Sequence, residues 1–539
     1  MPVSDNLEER LWNSAEDFRG QVEASEYKHI VLGMLFLRDA SIRFNEFREE
    51  VRNEFEIGGE NQEKLLRKKL TAENAFYIPE EARWENLYTT GKMSKKLDDA
   101  MDAIMEENER LAGRLPERFQ QSGVDEDSLR NLHNEFSEID VREDEDTDQD
   151  YVGRIYEYFI GEFSKETAQG SGEFYTPQDV VELMVESLKP LSGRIFDSCA
   201  GTGGMFVQSY EYAEKTEGYD GKDMEFYGQE INNSLVSLAE MNIFLRNLTG
   251  NATVLEGDSL SNDRMPEVAE DGERLKASKV ITNPPFNYTY DPSKIENNDD
   301  RFKYGLPNQQ NANYAFIQHM LHHTKQGGLV GTVMANGALA NNSDKDIRKG
   351  LVEDDLVDAI ITLPEKLFYT VSIPVSIFVF SKGKGKYNDD HRNREDETLF
   401  IDASDTYESV SRSENRLTDN HIEKIAMTVR KYRGDVEGEV DEEDYQDIEE
   451  FCTVATSDEI AETDYNLNPG RYISFDTETD HTPLDVKLPE LRGQLEAKFK
   501  QSRELEEKIT ENLSQLETSD DAENNNTENQ DLDNEGDKE

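Results

Sequence analysis

The sequence predicts an α/β protein with a helical N-terminal domain, a central α/β domain and a C-terminal amphipathic helix. Three observations support this prediction. Apolar residues recur at helical spacing in the first 141 residues. Short apolar runs alternate with helical stretches from about Tyr151 onwards, which is typical of a parallel sheet with helical connections. Near the end of the chain, leucines return at spacings of three, four or seven residues.

The N-terminal domain is predicted over residues 1–141. One helical face is formed by Leu7, Leu11, Ala15, Phe18 and Val22. The run from residue 30 to residue 37 is apolar all round, so we expect a buried helix there. An acidic block at residues 142–150 then breaks the pattern, as a solvated linker does.

The central domain is predicted over residues 151–480. Five apolar runs bounded by Gly, Asn or Asp predict strands, and two further runs extend the sheet. The predicted strands are residues 194–197, 225–229, 252–255, 279–282, 329–334, 356–363 and 373–380. The alternation with helices favours a parallel sheet. After about Lys382 the chain becomes polar and less regular.

The C-terminal part is predicted to be a helix over residues 481–516 and a disordered acidic tail over residues 517–539. Pro489 suits the first turn of a helix. The apolar seam consists of Leu488, Leu491, Leu495, Ser502, Leu505, Ile509, Leu513 and Leu516. We expect this seam to dock on a partner, although packing on its own domain fits the pattern equally well. The tail has almost no apolar residues.

The charge is strongly negative, with 117 acidic against 58 basic residues and a net charge of −59. Either the protein does not touch nucleic acid, or it works in a salt-rich cytosol where screening shortens the Debye length to about 3 Å. The acids are spread along the whole chain, which favours the second, halophilic interpretation. Two cysteines give no disulfide framework, and neither a signal peptide nor a membrane span is evident. We therefore expect a cytoplasmic protein.

A glycine-rich loop at residues 197–206 follows the first predicted strand and opens a helix. Glycines allow a sharp turn and a close approach to a ligand, and a helix N-terminus offers N–H groups to an anion. No Lys-Ser or Lys-Thr follows, so this is not a Walker A loop. A tight turn without a ligand is the alternative. The candidate ligand-binding residues are Asp197, Ala200, Gly201, Thr202, Gly203 and Gly204.

Two acids follow the next two predicted strands. Glu230 is placed to bind ribose hydroxyls, as an acid does in doubly wound folds. It lies 230 − 197 = 33 residues after Asp197 rather than about 20, so residues 211–223 are interpreted as an insertion. Asp258 could accept a hydrogen bond from an adenine amino group. Chance placement and an ordinary turn aspartate are the respective alternatives.

The strongest motif is Asn283-Pro284-Pro285-Phe286, directly after the fourth predicted strand. An exocyclic amine on a nucleobase is a poor nucleophile because its lone pair is delocalised into the ring. The side-chain oxygen of Asn283 and the backbone oxygen of Pro284 could hold its N–H groups, while the prolines stiffen the loop. Phe286 could stack on a base taken out of the helix. A proline-rich turn is the alternative.

In this order, the four motifs resemble those of an N6-adenine DNA methyltransferase. Residues 172–177 are similar to the segment that closes over the methionine part of S-adenosylmethionine in modification subunits of type I restriction–modification systems. Residues 24–33, 313–321, 361–369 and 465–472 also match that family. The resemblance runs from about Leu11 to Arg471, and the C-terminal helix fits it too.

The resemblance implies a Rossmann-like S-adenosylmethionine-dependent methyltransferase domain that displaces the sulfonium methyl with adenine N6. It assigns catalysis to Asn283, Pro284, Pro285 and Phe286. The glycine-rich loop, Glu230 and Asp258 then bind the cofactor, and no metal is implied. The same role falls to Glu173, Phe174, Tyr175, Thr176, Pro177 and Gln178. The implied partners are DNA, a specificity subunit, a second copy of the chain and, where one is encoded, a nuclease subunit.

Two departures and two rival functions accompany the resemblance. The loop reads Asp-Ser-Cys-Ala-Gly where Asp-Pro-Ala-Cys-Gly is common, and residues 334–339 lack a Pro or Arg often found there, which bears on DNA contact. A protein-glutamine methyltransferase shares the Asn-Pro-Pro motif, but the N-terminal domain and residues 173–177 disfavour it. Intact Asn283 and Phe286 disfavour a non-catalytic assembly subunit.

Overall fold

The structure is a computed structural model, and it describes eleven stretches of the chain and three single residues. They are residues 10–13, 15, 18, 24–54, 60–88, 91–116, 118–138, 151–167, 176–265, 275–368, 373–385, 392–435, 445–473 and 492. The predicted linker and tail lie outside the described residues, as do Glu173, Phe174 and Tyr175. The predicted C-terminal helix also lies outside them, apart from Arg492.

Helices make up the N-terminal layer. Their bounds are α1 (Ala24–Glu54), α2 (Glu60–Ala72), α3 (Trp84–Leu87), α4 (Met93–Glu107), α5 (Glu126–Glu138) and α6 (Tyr151–Thr167). The apolar run at residues 30–37 lies in α1 and its apolar side chains are buried, which confirms the predicted buried helix. Helix α6 packs on α1, and its apolar side chains join the same core. No helix in the described part of the chain combines the length and apolar character of a membrane span.

The remaining elements form a nine-stranded sheet with helices around it. The strands are β1 (Gly193–Asp197), β2 (Met224–Glu230), β3 (Ala252–Glu256), β4 (Ala277–Thr282), β5 (Thr324–Ala335), β6 (Val357–Thr362), β7 (Val375–Ser381), β8 (Glu397–Asp402) and β11 (Cys452–Thr456); β9 (Glu408–Ser409) and β10 (Asn415–Arg416) form a separate ribbon. The helices are α7 (Gln178–Leu188), α8 (Gly204–Lys215), α9 (Asn233–Leu245), α10 (Asn313–His322), α11 (Lys345–Glu353), α12 (Asp419–Arg433) and α13 (Ser457–Glu462). The strand order is β11-β8-β6-β7-β5-β4-β1-β2-β3.

The α/β fold is confirmed, but the sheet is mixed rather than wholly parallel. Strand β7 runs antiparallel to both β5 and β6, and β11 runs antiparallel to β8. A parallel partner needs a crossover, usually a helix, whereas only residues 363–374 join β6 to β7. The expected loss of regular structure after Lys382 is also wrong, because β8, α12 and β11 follow it.

The strand order brings the predicted motifs to one edge of the sheet. Strand β1 pairs in parallel with β2 on one side and with β4 on the other, so the direction of winding reverses at β1. In such sheets ligands bind beyond the carboxyl ends of the strands at this reversal. The glycine-rich loop leaves β1 there, and the Asn-Pro-Pro-Phe motif leaves β4 beside it.

Helix α9 joins the helical layer to the sheet. Leu238 and Phe244 belong to the core of the helical layer, whereas Ala239 and Ile243 pack in the core of the sheet. Arg43 of α1 donates hydrogen bonds to the last carbonyls of α9, those of Phe244 at 3.2 Å and Leu245 at 2.6 Å. A cation at a helix C-terminus is also favoured by the helix dipole.

A carboxylate on α9 completes this junction. Glu240 is only 3% exposed, and it forms ion pairs with Arg110, at 3.4 Å, and with Arg114. The two guanidinium groups also donate to carbonyls of β3, those of Ala252 at 2.7 Å and Val254 at 3.2 Å. These arginines therefore bind α9 and the edge strand of the sheet at once.

We predict that Glu240→Ala lowers the free energy of unfolding by about 2 kcal/mol, because it leaves two partly buried guanidinium groups without their carboxylate. Chemical denaturation followed by circular dichroism measures the change. Glu225→Ala is the matched control, since its ion pair with Arg194 is 52% and 40% exposed and should contribute under about 1 kcal/mol. Equal losses in the two variants would contradict the role given to Glu240.

Candidate active site

The glycine-rich loop is held against the end of β2. The N–H of Ala200 donates to the carbonyl of Gln229 at 3.0 Å, and the N–H of Gly201 donates to the Glu230 carboxylate at 2.9 Å. Gly201 has a φ of 54°, and a Cβ added there would meet no atom within 4 Å. The glycine thus supplies a left-handed turn beside open space, which is the arrangement that a ligand-binding loop needs.

Glu230 accepts two backbone hydrogen bonds, from Gly201 and, at 2.9 Å, from Asn232. A carboxylate has about four lone-pair sites, so hydroxyl groups of a ribose can still bind it. The insertion predicted before it is only partly correct. Helix α8 continues to Lys215, so its last residues account for part of the 211–223 segment.

Asp258 stands after β3 at the same edge of the sheet, but its carboxylate serves its own turn. One oxygen accepts from the N–H of Leu260 at 3.0 Å and the other from the hydroxyl of Ser261 at 2.6 Å. This geometry agrees with the ordinary turn aspartate that the sequence left open. The contact with an adenine amino group stays a prediction.

Asp197 and Thr282 join the ends of β1 and β4. The hydroxyl of Thr282 donates to the buried Asp197 carboxylate, which also accepts from the N–H of Cys199 at 3.0 Å. The same threonine oxygen accepts from the N–H of Ser198 at 2.8 Å. Burial raises the pKa of Asp197 to about 7, although these hydrogen bonds act in the opposite direction. Sequence reasoning missed Thr282, whose only signal is its place directly before Asn283.

The Asn283 side chain is fixed by a residue 107 positions away in the sequence. Its Nδ2 donates to the hydroxyl of Thr176 at 2.8 Å. Its Oδ1 is buried and has no hydrogen-bond partner within the described parts of the chain. The amide oxygen is therefore oriented as an acceptor that a bound ligand can use.

Phe286 is 8% exposed and packs edge-on against Phe368, with ring centroids 5.9 Å apart. Stacking on a base would require one face of this ring to be uncovered, so that role stays a prediction. Pro284 is buried and Pro285 is partly exposed, and they carry the chain away from β4 between Asn283 and Phe286.

A cavity lies beside these groups. The predicted site residues that line it are Thr176, Gln178, Asp197, Ala200, Gly201, Thr202, Gly204 and Asn283. Pro177, Gly203, Glu230, Asp258 and residues 284–286 are not among its lining residues. Sequence reasoning missed the wall supplied by the helical layer, which consists of Lys28, Glu157, Ile160, Phe163 and Ser164.

Asp263, His319 and His323 form a separate buried group whose atoms lie at metal-ligand spacing. His323 Nε2 is 3.1 Å from an oxygen of Asp263, and Arg301 Nη1 is 3.0 Å from His319 Nδ1. A guanidinium can only donate, so Nδ1 of a neutral His319 accepts and Nε2 carries the proton. Burial lowers the pKa of His319 and keeps it neutral. We interpret the group as hydrogen-bonded pairs, His323 with Asp263 and His319 with Arg301.

Two protein families match the chain. The N-6 DNA Methylase family matches residues 147–481, and the HsdM N-terminal domain family matches residues 7–136. The first match includes all of the motifs that surround the cavity.

Named relatives are similar over most of their length. The Type I restriction enzyme MjaIX methylase subunit of Methanocaldococcus jannaschii is 36% identical over 95% of this chain and 92% of its own. The Type I restriction enzyme HindI methylase subunit of Haemophilus influenzae is 32% identical over 81% of this chain and 99% of its own.

A solved structure has the same fold. The methyltransferase subunit of a type I restriction-modification system from Streptococcus thermophilus superposes with a TM-score of 0.73 at 26% identity, covering 88% of this chain and all of the other. These matches confirm the resemblance drawn from the motifs. The chain belongs to the N-6 DNA methylase family, among the methylase subunits of type I restriction enzymes.

Proposed function

We propose that this chain transfers the methyl group of S-adenosylmethionine to N6 of adenine in DNA. The observation that carries the proposal is the amide of Asn283. Thr176 binds its nitrogen, while its oxygen is buried without a partner and the residue lines the cavity. A buried acceptor without a donor is costly, and an exocyclic amine offers the N–H that satisfies it.

In this reaction the protein has to position the N6 amine of adenine. S-Adenosylmethionine supplies an electrophilic methyl group on a sulfonium. The Asn283 oxygen and the Pro284 carbonyl hold the N–H groups of the base, so the nitrogen lone pair is directed at that methyl. Transfer would form the N–C bond as the S–C bond breaks, leaving S-adenosylhomocysteine, and the proton of N6 would pass to water. No strong general base is required for this reaction.

Rigidity of the acceptor loop supports the same proposal. Thr282, the residue before Asn283, is held by its hydrogen bond to Asp197. The side chain of Asn283 is held by its hydrogen bond to Thr176. The two prolines that follow restrict the backbone. Acceptors that are already oriented do not have to reorganise during the reaction, which is where such groups contribute most to catalysis.

We also propose that DNA is bound with partner subunits. The named relatives are methylase subunits, and the chain carries a net charge of −59, which opposes binding to phosphates by this chain alone. A specificity subunit with basic surface would read the DNA sequence, with two copies of this chain around it. A nuclease subunit would join the same complex where one is encoded.

Asn283→Ala should lower the methylation rate about 10²- to 10³-fold, because one preorganised acceptor is lost. Affinity for S-adenosylmethionine, measured by calorimetry, should stay near that of the parent. Methyl transfer to DNA is followed with labelled cofactor in the presence of the specificity subunit. Turnover close to that of the parent would remove Asn283 from the mechanism.

Thr176 acts in this proposal as a positioning residue, because its hydroxyl holds the amide of Asn283. Thr176→Ala frees the Asn283 amide to rotate, so kcat should fall about tenfold or more, while the KM for DNA changes little. Thr176→Ser keeps the hydroxyl and should restore most of kcat. A serine variant as slow as the alanine variant would show that the methyl group of Thr176, and hence packing, is what matters.

The predicted helix at residues 481–516 lies outside the described residues apart from Arg492, and we expect it to dock on the specificity subunit. A chain ending at residue 480 should lose copurification with its specificity subunit but keep cofactor binding. Leu495→Asp combined with Ile509→Asp should do the same, because it places charge in the apolar seam. Lys500→Asp with Lys508→Asp, off the seam, is the control and should retain assembly. Copurification of the truncated chain would show that the helix packs internally.

A further inference from the structure

The cavity beside the glycine-rich loop has a wall that belongs to the helical layer. Lys28 lies near the start of α1, and Glu157 and Phe163 lie on α6. The opposite wall is the loop itself, from Cys199 to Met205, with Thr176 and Asn283 at its side. The cavity therefore exists only where the helical layer packs on the sheet.

One end of the cofactor can be assigned to this cavity by elimination. This step rests on the proposed function, in which a methyl group is presented to an amine at Asn283. Glu230, the candidate for the ribose hydroxyls, and Asp258 do not line the cavity. The adenosine part therefore lies on the Glu230 side of the loop. The methionyl arm of S-adenosylmethionine, which carries an α-amino and an α-carboxylate group, then fills the space between the loop and the helical layer.

The charges that line the cavity match that arm. Lys28 is 5% exposed and lines the cavity from the helical layer. Glu157 offers the opposite charge on the same wall and is itself paired with Arg246 at 3.0 Å. The neighbouring His29 stays neutral, because burial and the charge of Lys28 lower its pKa to about 4. Among the described residues that line this cavity, Lys28 is the only cation.

We propose that Lys28 of the helical layer binds the α-carboxylate of the methionyl arm of S-adenosylmethionine. A lysine ammonium is a compact charge that suits a carboxylate in a small enclosed space. The helical layer is then part of the cofactor site. This also accounts for a motif that the catalytic chemistry does not use, residues 24–33, in which Lys28 lies four residues into α1.

Decarboxylated S-adenosylmethionine is the sharpest probe, because it lacks only the group that Lys28 is proposed to bind. Calorimetry on the full chain should show that the parent prefers S-adenosylmethionine over this analogue by about 10- to 100-fold, the range expected for a hydrogen bond between charged groups. Lys28→Met should reduce that preference to within about twofold, through weaker binding of S-adenosylmethionine. Lys28→Arg, which keeps the charge, should recover part of it.

The analogue also controls for folding, since retained affinity for it shows an intact adenosine site. Lys384→Met is the matched control, because Lys384 is similarly buried, pairs with Asp355 and is not a lining residue of this cavity. Its preference for S-adenosylmethionine should equal that of the parent. The proposal is overturned if Lys28→Met keeps the full preference, if it weakens both ligands equally, or if the parent shows no preference. A parent that binds neither ligand would instead contradict the proposed function.

Discussion

The hydrogen bond between Thr282 and Asp197 is the contact on which the site depends most. It joins residues 85 positions apart in the sequence, at the ends of two adjacent parallel strands. Because Asp197 begins the glycine-rich loop and Thr282 precedes Asn283, the bond holds the glycine-rich loop and the Asn-Pro-Pro-Phe loop next to each other. It is buried, so neither water nor salt competes with it, and loss of one partner would leave the other unsatisfied.

Helix α9 extends this constraint to the helical layer. It packs on the sheet through one face and on the N-terminal core through the other, and Glu240 on it binds Arg110 and Arg114. The chain has twice as many acidic as basic residues, and these two arginines lie at the contact between α9 and β3. The same junction closes the cavity in which Lys28 faces the glycine-rich loop. Packing between the two layers therefore also forms the cavity in which we propose that the cofactor binds.

The fold was predictable where the pattern is local. Strands β1 to β5 follow apolar runs bounded by turn residues, and α1 follows a run that is apolar all round. The direction of β7 was not predictable in this way, because it depends on which neighbours the strand inserts between. Strand β11 was missed because it lies at the edge of the sheet, where one side needs no apolar partner, and its sequence mixes polar with apolar residues. Strand β8 lies inside the sheet between β11 and β6, and its four central residues are buried.

The sequence by itself determined the order of the motifs and the type of chemistry. A glycine-rich turn, an acid after a strand and Asn-Pro-Pro-Phe are each short segments whose residue types predict a role. Only the tertiary structure decided that Thr176 holds Asn283, that Thr282 braces Asp197, and that Lys28 closes the cavity. Each of these contacts joins elements far apart in the chain, so it exists only after strand pairing and helix packing have placed both partners, and no spacing in the sequence encodes it.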